Sequence, residues 1–97
     1  MTRSTAGRWT FLTNHAHVLV CIADNPDVRA REIADLVGIS ERAVQAIISD
    51  LVHAGYVVRE RTGRRNHYTI DVDRGLRHPL EEDHTVGELL GMLGRLP

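Results

Sequence analysis

Between residues 14 and 53 apolar side chains recur every three or four positions, the period of an α-helix with one buried face. Three helices are predicted there. Asn14 is read as the cap of the first, which runs to about Ala23 with Val18, Leu19 and Ile22 inward, and Asp24-Asn25-Pro26-Asp27 closes it. Ile33, Ala34, Leu36 and Val37 mark the inner face of the second, which Gly38 can end with a positive φ. Ser40 can cap the third, residues 41–54, in which Val44, Ile47, Ile48 and Leu51 are the predicted core stripe. The corner between the second and third helices is very short, as a helix-turn-helix requires.

After Gly55 the period changes. Tyr56, Val57 and Val58 are strand formers, Arg61-Thr62-Gly63-Arg64-Arg65-Asn66 is a polar turn around a glycine, and Tyr68-Thr69-Ile70 returns as a second strand. Val28 and Arg29 are expected to add a short strand to this hairpin. Residues 74–84 read as a polar connection broken by Gly75 and Pro79. From Thr85 the helical spacing resumes, with Val86, Leu89, Leu90, Leu93 and Leu96 on one stripe. So short an apolar stripe is expected to pack on another surface, either a second copy of the chain or its own domain. Near the start, Trp9, Phe11 and Leu12 alternate with Arg8 and Thr10, as in a short strand or an arm laid on a partner.

The polar side of the third helix carries the candidate chemistry. At about 100° per residue, Arg42, Gln45, Ala46, Ser49 and His53 project away from the core stripe. Arg can donate two hydrogen bonds to a guanine edge and Gln can make two to adenine, so this face can read a major groove; it can equally be a solvated surface. The hairpin tilts the balance toward reading. It carries Arg59, Arg61, Arg64 and Arg65, and guanidinium groups on a protruding hairpin can clamp phosphate or enter a minor groove.

In this order and spacing, Arg31-Glu32-Ile33-Ala34, Gly38-Ile39-Ser40, residues 51–56 reading LVHAGY, and Gly63-Arg64-Arg65-Asn66-His67-Tyr68 resemble the winged helix-turn-helix transcription regulators, in particular small bacterial proteins of the MarR and ArsR type. The resemblance spans about residues 14–71. It implies an α+β, mainly helical fold: a winged helix-turn-helix with a small antiparallel wing sheet and an added C-terminal helix. Residues 1–13 become an N-terminal arm, 14–73 the DNA-binding domain, and 74–97 a linker and C-terminal helix that serves dimerisation. It further implies a homodimer on double-stranded DNA, the third helix in the major groove and the wing on flanking backbone. The expected DNA-binding set is Ser40, Arg42, Gln45, Ala46, Ser49, His53, Arg61, Arg64, Arg65 and Asn66; the expected dimerisation set is Val86, Leu89, Leu90, Leu93 and Leu96. Ala46 departs from relatives, which often have a polar or basic residue there, and Glu41 and Asp50 bring negative charge near the proposed surface.

Composition changes the picture in two places. The formal net charge is −1, unusual for a DNA-binding domain, yet residues 59–77 hold six arginines against three acids, while residues 80–97 hold four acids against one arginine. All twelve cationic residues are arginine, as a GC-rich coding genome would produce. Ninety-seven residues make one small domain with a modest core, to which oligomerisation would add burial.

Little else points to chemistry. Cys21 is the only cysteine and is placed at or near the core. Six histidines raise a metal hypothesis whose densest candidates are His78, Glu82 and His84, with His15 and His17 a second pair, but no spacing matches a zinc signature, and His53 and His67 are placed beside DNA. No phosphate-cradling glycine loop, nucleophile with a base, or motif-placed carboxylate pair is present, so no cofactor and no enzymatic activity are expected. No apolar run spans a bilayer and the N-terminus lacks a signal-peptide core, which predicts a cytoplasmic protein without membrane contact. Two alternatives stay open: a winged-helix module that binds protein, and a metal- or ligand-responsive regulator.

Overall fold

The computed structural model of the chain describes residues 9–95. Four helices and one hairpin follow in the order α1 (Asn14–Asp24), α2 (Ala30–Val37), α3 (Glu41–His53), β1 (Val57–Thr62), β2 (Arg65–Ile70) and α4 (Val86–Met92). The strands pair antiparallel, with Val57 opposite Ile70 and Thr62 opposite Arg65. This is the winged helix arrangement that the residue pattern predicts.

The core forms where the three helical stripes converge. Val18, Leu19 and Ile22 of α1, Ile33 and Ala34 of α2, and Val44, Ile47, Ile48 and Leu51 of α3 are all buried. Tyr56, Val57 and Tyr68 continue this core beneath the hairpin, and Val86 and Leu90 close it from α4. Leu36 departs from the predicted inner face of α2 and is exposed. Eight residues give only two full turns, and the buried stripe is narrowed to Ile33 and Ala34.

Each helix start follows a local rule. Ser40 caps α3 by accepting from the Ala43 N–H at 3.0 Å. Thr85 and Glu88 form a reciprocal capping box at α4, each side chain accepting from the other's backbone N–H. That N–H from Thr85, followed by the His84 ring, holds the Glu88 carboxyl below its ordinary range. At α2 the Glu32 carboxylate accepts from the Arg29 N–H. The first helix differs from expectation: its N-cap is Thr13, which makes no side-chain capping bond, and Asn14 already lies in the first turn, where it accepts from the His17 ring.

Two predicted strands are absent from the described residues. Val28 is buried but pairs with neither strand; the backbone bond from this turn to the hairpin is made by the Pro26 carbonyl, which accepts from the Tyr68 N–H at 2.9 Å. The segment from Trp9 to Leu12 is irregular; Trp9 meets Phe11 edge to face at 5.1 Å, and both rings are exposed. Beside them a groove of about 430 Å³ runs between α1, the end of α3 and α4, lined by Leu12, Leu19, Leu51, Val86 and Leu89.

The end of α3 is held by a cluster that local sequence patterns do not announce. Gly55 turns the chain with φ +84°, and a Cβ added there would stand 2.4 Å from the Arg74 guanidinium. Arg74 uses that space to donate from Nε to the Ala54 carbonyl at 3.0 Å, a cation at a helix C-terminus, while its guanidinium lies over the Tyr56 ring. The Tyr56 hydroxyl donates in turn to the Gly75 carbonyl. Gly55→Ala is expected to destabilise the fold by about 1–3 kcal/mol, since it adds left-handed strain and displaces Arg74. The measurement is urea denaturation of Gly55→Ala, Arg74→Ala and the double variant, with the double variant losing less than the sum of the two single losses.

Candidate nucleic-acid interface

On α3 the side opposite the core stripe is solvent-facing, as its period requires. Arg42, Gln45 and Ala46 are exposed, and among the described residues neither Arg42 nor Gln45 makes a side-chain hydrogen bond. Ser40 is committed to its cap. Ser49 is half-buried, and its carbonyl accepts from His53 Nδ1 at 2.8 Å, so the last turn of this face is tied to itself. The two residues best suited to reading base edges are thus the least constrained.

The hairpin projects beyond the core. Of β1 only Val57 is buried and of β2 only Tyr68, so Arg59, Arg61, Arg64 and Arg65 are all exposed, with Asn66 half-buried between them. Cross-strand pairing puts Arg61 opposite Asn66 and Arg65 opposite Thr62, so Arg61 and Arg65 lie on opposite faces of the ribbon and Arg64 at its tip. Gly63, with φ +63° at the first central position of a two-residue turn, occupies the place where such hairpins favour glycine. Arg61 Nε donates to the Gly63 carbonyl at 3.3 Å.

The acids that complicate a DNA surface have other partners. Asp50 is turned to α1, where His15 Nε2 donates to it at 2.9 Å. Asp27 takes a bond from His67 Nδ1 at 2.7 Å, and Asp24 pairs with Arg95 Nε at 3.3 Å. The connection that carries acids 81–83 is held by bonds from Leu76 N–H to the His84 carbonyl and from Gly87 N–H to the Val72 carbonyl, and Glu81 lines the groove beside α1. Glu41 stays exposed in the first turn of α3, where the helix dipole favours it.

The candidate metal ligands and the apolar stripe of α4 each have partners within the chain. Among the described residues no group of three or more His, Cys, Asp or Glu is placed to hold a metal ion. His78 Nδ1 accepts from the Leu80 N–H, and His84 Nδ1 donates to Glu88, so these rings serve local bonds and do not converge with Glu82. In the apolar stripe, Val86 and Leu90 are fully buried in the protomer's own core. Leu89 and Leu93 are half-buried, and Leu96 lies outside the described residues. Burial raises the pKa of the Cys21 thiol, with Asp24 adding and Arg95 opposing, which disfavours a reactive thiolate.

The sequence pattern does not announce the His67–Asp27 and His15–Asp50 contacts. Each joins residues 35 or 40 positions apart, and an isolated histidine carries no periodic signal.

A MarR family model matches residues 10–65, from the arm through the tip of the wing. The chain belongs to the MarR family. Members of this family are transcriptional regulators and not enzymes, so the MarR-family chain is a DNA-binding regulator. Among solved structures, it is similar to a predicted DNA-binding transcriptional regulator from E. coli, with 18% identity and a TM-score of 0.58 over 81% of this chain and 72% of that one. It is also similar to the zinc-dependent MarR family regulator AdcR in its Zn(II)-bound state, at 20% identity, with a TM-score of 0.47 over 69% of this chain and 48% of that one. No curated protein matches it. No helix among the described residues of this MarR-family chain is long and apolar enough to cross a membrane.

Proposed function

We propose that the chain binds double-stranded DNA sequence-specifically as a homodimer, with α3 in the major groove and the arginine wing on flanking backbone or in the adjacent minor groove. The observation that carries this reading is the unpartnered Arg42 and Gln45 on α3, with a hairpin bearing four exposed arginines following directly in the chain. The first pair supplies base-edge donors and the second supplies charge for phosphate, so the two elements divide specificity from affinity. Dimerisation is supported by apolar side chains that the protomer leaves open: Trp9, Phe11, Leu36 and Met92 are all more than two-thirds exposed. Leu89 and Leu93 of the α4 stripe stay in this role.

Selection from a randomised duplex pool, followed by titration across roughly 50 to 200 mM salt, tests the reading. The expected result is an inverted repeat with half-sites about 34–36 Å apart, and log affinity falling linearly with log salt. Arg42→Ala and Gln45→Ala are each expected to erode discrimination at one base position by about 1–3 kcal/mol while leaving the salt slope unchanged. A selected pool with no common sequence would remove the specific reading.

A further inference from the structure

The geometry points to His67 and Asp27 as positioning residues that aim the wing at DNA, an inference that rests on the DNA-binding reading above. A two-stranded hairpin is marginal alone, and this one has only Val57 and Tyr68 buried. Bonds outside the core therefore help to fix its direction. Two consecutive residues of β2 meet two consecutive residues of the turn between α1 and α2: the Tyr68 N–H donates to the Pro26 carbonyl at 2.9 Å, and His67 Nδ1 donates to the Asp27 carboxylate at 2.7 Å.

The turn is itself held. The Asn25 side chain accepts from the Asp27 N–H at 3.1 Å, and the Asn25 carbonyl accepts from the Val28 N–H at 2.9 Å. The clasp thus ties the wing to a fixed point on the helical body.

Distance explains why this matters to binding. Arg64 at the tip is three residues from His67, a lever of about 10 Å at the usual rise of a strand. A swing of about 20° at the clasp moves the tip by roughly 3 Å, as much as a whole hydrogen-bond length. Phosphate contacts made by Arg64 and Arg65 would not survive that displacement. The wing also has an acid at this point, Glu60, which faces His67 across the hairpin.

Charge alone makes the opposite forecast. An exposed carboxylate near the wing repels phosphate within a Debye length of about 8 Å, so removing it should tighten binding whichever way it is removed. Positioning separates the variants. Asp27→Ala and His67→Ala each weaken binding, by roughly three- to tenfold, and the double variant is no worse than either alone. Asp27→Asn, which keeps an acceptor, and His67→Asn, which keeps a donor near the Nδ1 position, retain affinity.

The experiment is a titration of these five variants against the selected duplex at several salt concentrations, beside the unmodified protein and Arg64→Glu/Arg65→Glu. The salt slope of Asp27→Ala and His67→Ala is expected to shrink by about 0.9 for each phosphate that the wing no longer reaches, a change that reduced stability alone does not produce. Tighter binding by both Asp27 variants, or strictly additive losses, would overturn the positioning role. Amide hydrogen exchange of residues 59–67 in the free protein reads the clasp without DNA: faster exchange in both alanine variants and not in His67→Asn supports it, and unchanged exchange overturns it. If the unmodified protein fails to bind duplex, the DNA reading falls, while the exchange result still decides the clasp.

Discussion

Replacing Arg64 and Arg65 together with glutamate is expected to weaken DNA binding by about 100-fold or more, nearly equally for all sequences. Two charge-assisted contacts to phosphate are worth about 1.5–3 kcal/mol each, and the glutamates add repulsion. The log–log salt slope should shrink by about 1.8, the amount for two phosphates no longer neutralised. The fold should not suffer, because both side chains are exposed and Gly63 makes the turn. Thermal melting within about 0.5 kcal/mol of the unmodified protein checks that point. Unchanged affinity and slope would mean that the wing does not touch DNA, and the interface would have to be sought elsewhere on the molecule.

Ile48→Ala should strongly destabilise the fold. Ile48 is fully buried, on the α3 face directed away from the proposed DNA surface. Removing its outer carbons in a packed core costs about 2–5 kcal/mol, against a total of about 5–15 kcal/mol for a domain of this kind. In a domain under 100 residues each kcal/mol lowers the melting temperature by about 4–8 °C, so a fall of roughly 8–40 °C is expected. Denaturation at fixed protein concentration measures it. DNA affinity per folded molecule and the salt slope should hold, unlike in the wing variant. A loss below about 1 kcal/mol would mean that the α3 packing relaxes to fill the space.

These two variants also mark how far the sequence can be read. The α3 stripe is legible because Val44, Ile47, Ile48 and Leu51 repeat at the helical period and all four are buried. The hairpin is legible because its strand formers flank a glycine turn. Fold class follows from such local signals. The α4 stripe is legible as apolar but not as to its partner: periodicity shows that a face is covered, not by which surface, and Val86 and Leu90 turn inward.

Contacts across sequence distance are not legible. Arg74 reads as one more basic residue after the wing until the end of α3 is seen beneath it, 20 positions earlier in the chain. His67 sits next to the arginine cluster, which suggests a place beside DNA, whereas its bond to Asp27 depends on how a turn and a strand meet in space. Leu36 fits a helical inner face by spacing, but a helix of eight residues buries less than its full stripe. For the interface itself, local pattern selects exposed candidates well on α3 and the wing, and poorly where side chains are already engaged, as at Ser49 and His53.

The wing contains no lysine, and the whole chain contains none. Its fixed positive charge is therefore carried by guanidinium groups, which stay charged throughout the physiological range. It also lies beyond the reach of acetylation, which neutralises lysine amines. Amine-directed labels and cross-linkers would find only the chain's terminal amine and leave the hairpin unmodified, whereas a guanidinium-selective dicarbonyl reagent would reach Arg59, Arg61, Arg64 and Arg65 together, so bound duplex could be mapped as a footprint of arginine protection.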